Sequence, residues 1–504
     1  MKKLFKTIGI VLLTVIVLLI ATPFLFQNQM KEAVKSILND TVNAQIDFET
    51  VDLSLLSSFP QANVTVGNLK IINQKSFKGE TLCSVHSISF DIPIKELFKN
   101  ESDGPLLINS IEIDNAFLAI KSDGFGNKNY DIAKETESTS TESNTNFKFN
   151  IDDYAIRNST LTYSDEASKV FVNITKLNHS GKGNFSSEFS DLQTKTEARV
   201  SFSVDSINYL NATSIKLDAL IDLDLNENKY TFKDNKALIN KLPLEFNGFV
   251  KLLEHGTEID LTFKNTGATF KEFLAVIPET YSKNIEGITT TGSFKFDGFV
   301  KGLVSEARIP KMDIQVVSNN ASFKYPSLPK SVQDISINAS IKNDTGNAAD
   351  TYVNINNLEF RIDQDVFKSS AILKNITKNM MVDATIDGTL NLANISNAYP
   401  IETESELRGL LKGTLHSSFD MNAIETNAYE RTKNNGTIAV SDFVFSSEEL
   451  VKPIHVSNAN VQFKPGLVTL QSFAATTGKS DLAATGTIYN LLGFILSDKN
   501  LQGD

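Results

Sequence analysis

From about Gln45 onward, hydrophobic residues recur at every second position. Ile215, Leu217, Ala219, Ile221, Leu223 and Leu225 share one parity, while Lys216, Asp218, Asp222 and Asp224 take the other, with Leu220 as the exception. Side chains of an extended strand alternate between its two faces, so this pattern predicts a strand with one apolar and one wet face. The same alternation recurs in Ala198, Val200, Phe202 and Val204; in Ile259, Leu261 and Phe263; and in Phe294, Phe296, Gly298 and Val300. Further on it returns in Ile335, Ile337, Ala339 and Ile341, in the even positions from Val382 to Leu392, and in Val461 and Phe463. The fold class this predicts is mainly β, a long curled antiparallel sheet forming a trough or groove, with its apolar face either packed on a second sheet or open to lipid.

Two segments near the start break the period of two. Residues 8–26 (IGIVLLTVIVLLIATPFLF) carry no charge, and about 20 such residues cross the hydrocarbon core of a bilayer as a helix. Ile8, Leu12, Val15, Leu19 and Phe24 lie along this predicted anchor, and Lys2, Lys3 and Lys6 before it place the N-terminus in the cytoplasm and the bulk outside. Thr22-Pro23-Phe24 is a poor cleavage site, which favours a retained anchor over a removed signal peptide. Residues 27–44 read as a short amphipathic helix, with Met30, Ala33, Val34, Ile37, Leu38 and Val42 on one face, placed to cap the first sheet.

The organisation predicted is a stub (1–7), a membrane helix (8–26), the amphipathic helix (27–44), an N-terminal β region (45–133), a polar loop (134–146, KETESTSTESNTN) and a repetitive β region (147–504). Short helices are expected at 94–99, 270–277 and 393–398, as corners or plugs between strands. The sequence EFNGFVK at 245–251 returns as KFDGFVK at 295–301, and a glycine bend within a strand accounts for both copies.

Composition and charge narrow the function. A net charge of -12 provides no basic field for nucleic acid. A single cysteine, Cys83, excludes an intrachain disulfide. His86, His179, His255, His416 and His455 show no metal-ligand spacing, and no nucleophile elbow occurs. Gly181-Lys182-Gly183 reads as a hairpin turn. Asp123, Asn127, Asn129 and Asp131 have the oxygens of a calcium loop without its spacing, and a strand-to-strand turn is the preferred reading. No catalytic residue, cofactor site or metal site is predicted, and the chain is expected not to be an enzyme.

Residues 51–66 (VDLSLLSSFPQANVTV), following an anchor and a short helix, resemble the opening of AsmA-family proteins. Residues 124–132 (GFGNKNYDI) are similar to a strand-turn-strand element of that family. Residues 242–248, 270–281, 297–302 and 323–329 resemble its Bacteroidetes-type version. The resemblance implies a single-pass bacterial inner-membrane protein with a periplasmic bulk, related to TamB and to chorein-like bridge proteins that carry lipid, and active in outer-membrane biogenesis. It also implies further strands beyond Asp504.

On this reading the apolar parity is the floor of a groove for phospholipid acyl chains. Its candidates are Phe202, Val204, Leu217, Ile221, Leu223, Leu261, Phe263, Phe294, Phe296 and Ile337. The expected partners are the membrane, phospholipid and other envelope proteins. The competing expectation is an anchored set of closed β-sandwiches that binds another envelope protein.

Overall fold

The computed structural model describes residues 42–55, 60–98, 106–132, 147–183, 189–204, 207–274, 287–305, 307–399, 408–445, 452–497 and 499–504. The predicted stub, the anchor with Ile8, Leu12, Val15, Leu19 and Phe24, residues 27–41 and the polar loop lie outside them. Among the described residues no helix is long and apolar enough to cross a membrane.

The chain is mainly β and divides into two compact units, residues 1–240 with 276–281, and residues 241–275 with 282–504. In the first, β1 (Ala44–Asp47) and β2 (Thr50–Ser54) both pair with β3 (Gln61–Asn73), placing Ile46 opposite Ile71 and Val51 opposite Val66. The ladder continues through β4 (Thr81–Pro93), β5 (Leu106–Ser122), β6 (Phe147–Asp165) and β7 (Val170–Lys182) to β8 (Phe189–Val204), β9 (Ile207–Asp224) and β10 (Lys229–Ile239). Every step is antiparallel except β5–β6, which is parallel, with Ile113 opposite Ile156. That step departs from the all-antiparallel expectation. Neighbouring parallel strands need a long return connection, and the chain between Ser122 and Phe147 supplies one.

The second unit is an antiparallel meander. It begins with β11 (Leu242–Leu253), β12 (Gly256–Lys264), the two-residue β13 (Ala268–Thr269) and β14 (Thr289–Val304), with β12 and β13 lying end to end along β14. It proceeds through β15 (Lys311–Lys324), β16 (Val332–Asn343), β17 (Tyr352–Ile362), β18 (Asp365–Lys374) and β19 (Met381–Asn391). It then runs through β20 (Leu410–Asp420), β21 (Lys433–Phe445), β22 (Ile454–Lys464), β23 (Leu467–Thr477) and β24 (Ser480–Ile488).

The alternation of the sequence fixes these registers, because a slip by one residue would turn every apolar side chain to the wet face. On that wet face opposed charges are matched across the ladder. Glu197 faces Lys216, Asp260 faces Lys301, Asp313 faces Lys342 and Glu359 faces Lys368, each as an ion pair. Exposed pairs of this kind add little stability, but a slip by one residue would break all four and set Glu197 opposite Ile215 or Leu217.

Buried asparagines repair the ladders where strands end or bulge. Asn129 is 2% exposed; its Oδ1 accepts from Lys121 N at 2.7 Å and its Nδ2 donates to Ala119 O at 2.6 Å, on a stretch of β5 that outruns β4. Asn265 does the same along β14 between the ends of β12 and β13, taking Phe296 N at 2.8 Å and giving to Phe294 O at 2.9 Å. Asn235, fully buried at the bulge of β10, accepts from Leu220 N at 2.6 Å. A side-chain amide offers one donor and one acceptor at nearly the spacing of a strand, which explains why asparagine recurs along these strands.

Among the described residues four short helices interrupt the second unit: α1 (Phe270–Leu274), α2 (Leu392–Ala398), α3 (Met421–Glu425) and α4 (Leu491–Leu496). The first two fall where the sequence predicts helices, and Ile94–Phe98 forms a 3₁₀ turn where a third is predicted. Gly181 and Lys182 belong to the end of β7 and do not form the predicted turn. A Cβ on Gly181 would meet the Tyr154 ring at 2.3 Å, so glycine there makes room for an aromatic on the neighbouring strand. The echoed segments lie in β11 and β14, on either side of β12, with Gly248 opposite Leu261 and Gly298 opposite Phe263.

Candidate functional site

Cross-strand partners share a face, so the ladders trace the apolar surface from strand to strand. In the first unit one row runs Val51, Val66, Ile88, Ile113, Ile156, His179, Thr196, Leu217 and Ala237. In the second a row runs Phe246, Phe263, Gly298, Ile314, Ile341, Val353, Leu373, Val382 and Phe419. Each unit therefore presents a broad apolar face without interruption by charge along these rows.

How deeply that face is buried decides what it can do. Among the described residues three local clusters are closed. The first gathers Ile46, Phe48, Val51, Val64, Val66 and Ile92; the second has Phe270 and Ala398 from α1 and α2 over Ala321, Val332, Ile335 and Ile362; the third holds Val456, Ala459 and Ala475. Between them the face is only half-buried. Of the residues predicted for the floor, Phe202, Val204, Leu217, Ile221, Leu261, Phe263, Phe296 and Ile337 are half-buried, Leu223 is 8% exposed and Phe294 2%. Phe294 lies beneath Phe273 of α1 and belongs to a covered part of the face. Ile386, on the same face in β19, is 37% exposed. The interior residues of a sealed two-layer sandwich would be buried throughout, as Phe294 is.

The floor also carries one polar spot that periodicity alone passes over. His179 interrupts the first row, and its Nε2 lies 2.5 Å from Tyr154 Oη, its Nδ1 2.8 Å from Thr196 Oγ1. Burial pushes the imidazole below its ordinary pKa and the Tyr154 phenol above its own, so both are neutral near pH 7. A neutral imidazole has one N–H donor and one acceptor nitrogen, so the phenol and the Thr196 hydroxyl take the complementary roles at its two nitrogens. A charge on the floor is thereby avoided, and the polar atoms satisfy one another.

The turn after β5 is explained by hydrogen bonding. Asp123 Oδ1 accepts from Phe125 N at 2.9 Å and Asn127 N at 2.8 Å, while Oδ2 accepts from Asn127 Nδ2 at 2.7 Å. The Asp123 carboxylate is held below its usual range by these bonds, that from the Asn127 side chain foremost. Among the described residues no group of three or more His, Cys, Asp or Glu is gathered as a metal would require.

The family model described as the AsmA family matches residues 1–391. No curated protein and no solved structure matches the chain.

Proposed function

The chain belongs to the AsmA family, and from that premise we propose that it is an envelope-biogenesis protein, anchored in the bacterial inner membrane by residues 8–26 with its bulk in the periplasm, that carries phospholipid with the acyl chains laid on the apolar sheet face. It holds lipid and catalyses no reaction. The observation that supports this reading is the apolar face, continuous from strand to strand within each unit and half-buried between the closed clusters. Each buried methylene contributes about 0.8 kcal/mol, so about ten of them on such a floor retain a lipid without any specific polar contact. The neutral Tyr154, His179 and Thr196 spot leaves that floor free of charge.

The test is extraction of the full chain in mild detergent followed by mass spectrometry of bound lipid. Phospholipid in near-stoichiometric amount is expected. Protein free of lipid across several preparations overturns the carrier reading and leaves the alternative, an anchored β scaffold that binds another envelope protein.

A further inference from the structure

At one end of the first unit two turns stand side by side, residues 73–80 and 123–132, with a cleft of about 350 Å³ between them lined by Lys75, Phe77, Asn127, Lys128 and Asp131. The chain enters the unit at this place, since Asn43 N donates to Ile132 O at 2.6 Å. Phe125, at the tip of the second turn, is 93% exposed. It is not loosely held: Asp123 takes its N–H, Glu166 Oε2 accepts from Gly124 N at 3.1 Å, and buried Asn129 ties the base of the turn to β5. The turn thus presents a phenyl ring to the surroundings on a rigid support.

Charges of both signs surround it. Glu80 is paired with Lys121, and Asp123 and Glu166 are engaged by backbone N–H groups of the turn. Asp131 is the acid that lines the cleft, against Lys75 and Lys128 on its walls and Lys78 in the adjoining turn. Lys128 Nζ lies 5.9 Å from the ring centre of Tyr130, which is 45% exposed. Four lysines (Lys75, Lys78, Lys121 and Lys128) stand here with four carboxylates (Glu80, Asp123, Asp131 and Glu166), so in a chain of net charge -12 this corner is close to neutral and sets lysine side chains beside exposed aromatic rings, a pairing that settles at a phospholipid interface.

We propose that these two turns form a membrane-contact face, with Phe125 entering the interface and Lys75, Lys78 and Lys128 meeting lipid phosphates, on the bilayer that holds residues 8–26. The proposal rests on the reading of residues 8–26 as an anchor. The length of chain permits it: residues 27–42 separate the apolar segment from Asn43, a reach of about 24 Å as helix and about 55 Å extended.

The chain contains no tryptophan, so Phe125→Trp creates a unique fluorescent reporter. The full chain is reconstituted in vesicles of phosphatidylethanolamine and phosphatidylglycerol, with and without brominated phospholipid. Blue-shifted emission and several-fold quenching by bromine are expected. Phe189→Trp, at the opposite end of the ladder and 64% exposed, should keep a solvent-like spectrum. Combining Lys75→Glu, Lys78→Glu and Lys128→Glu with the reporter should cut the quenching at least twofold. Protein that floats with the vesicles while Phe125→Trp emits as in water overturns the contact face alone, and quenching indifferent to the three charge reversals overturns the role of the lysines. Protein that alkaline carbonate strips from the vesicles overturns the anchor, and the contact face with it.

Discussion

The ring of Phe273 lies 3.8 Å from that of Phe294, centre to centre, and 14° from parallel. A residue of a five-residue helix thus closes over the sheet face at one point, while Phe202 and Ile221 on the corresponding face of the first unit remain half-buried. The same apolar parity has two fates, and mutation separates them.

Phe294→Ala removes a ring from a sealed site and should cost about 3–5 kcal/mol. Guanidinium unfolding of the second unit measures it; a loss under about 1 kcal/mol would show that the ring is not covered as described.

Phe202→Asp places a carboxylate on a half-buried part of the floor. Stability should fall only slightly while co-purifying phospholipid drops at least twofold, whereas Leu223→Asp, at a site 8% exposed, should impair folding itself. Equal loss of fold in both variants would argue for a closed core beneath Phe202.

Asn129→Ala strips a partner from each of Lys121 N and Ala119 O. A cost of about 1–3 kcal/mol is expected for leaving buried backbone groups unpaired. Hydrogen exchange at the Lys121 amide should quicken, and an unchanged rate there would refute the repair role.

His179 carries a pKa lowered by burial from 6.5. The unfolded chain therefore takes up a proton at higher pH than the folded one. The stability that follows is fully present above about pH 6.5 and is lost as pH falls below it toward the folded value. Denaturation midpoints between pH 7.5 and 5 should decline, and His179→Gln should flatten that decline. A profile unaffected by the substitution would place the titration elsewhere.

Much of this was legible in the amino-acid pattern. The alternation from Ile215 to Leu223 is the apolar face of β9, and the segments around Phe202, Phe263, Phe296 and Ile337 fall in β8, β12, β14 and β16 on the face their parity predicts. Pro400 and Pro278 mark the stretches after α2 and α1, where proline cannot extend a helix. Other features have no local signature. The parallel pairing of β5 with β6 depends on where a long connection returns, which periodicity does not encode. The cover over Phe294 comes from α1, whose apolar residues predict a helix but not its resting place. The polar spot at His179 looks like an ordinary strand position until Tyr154 and Thr196 are brought to it from neighbouring strands. Asn129 belongs to the motif on which the family resemblance rests, and the structure supplies a physical reason for it: its amide finishes the ladder of β5.

The parallel step between β5 and β6 has a kinetic consequence. Either side of the β5–β6 seam, each strand follows its partner closely and can zip onto it by short loop closure, which is rapid. Pairing Leu106 with Phe147 must wait for a much longer loop to close. The seam is therefore the slow joint of the first unit, where two quickly formed ribbons meet late and where hydrophobic edges stay unpaired longest during synthesis.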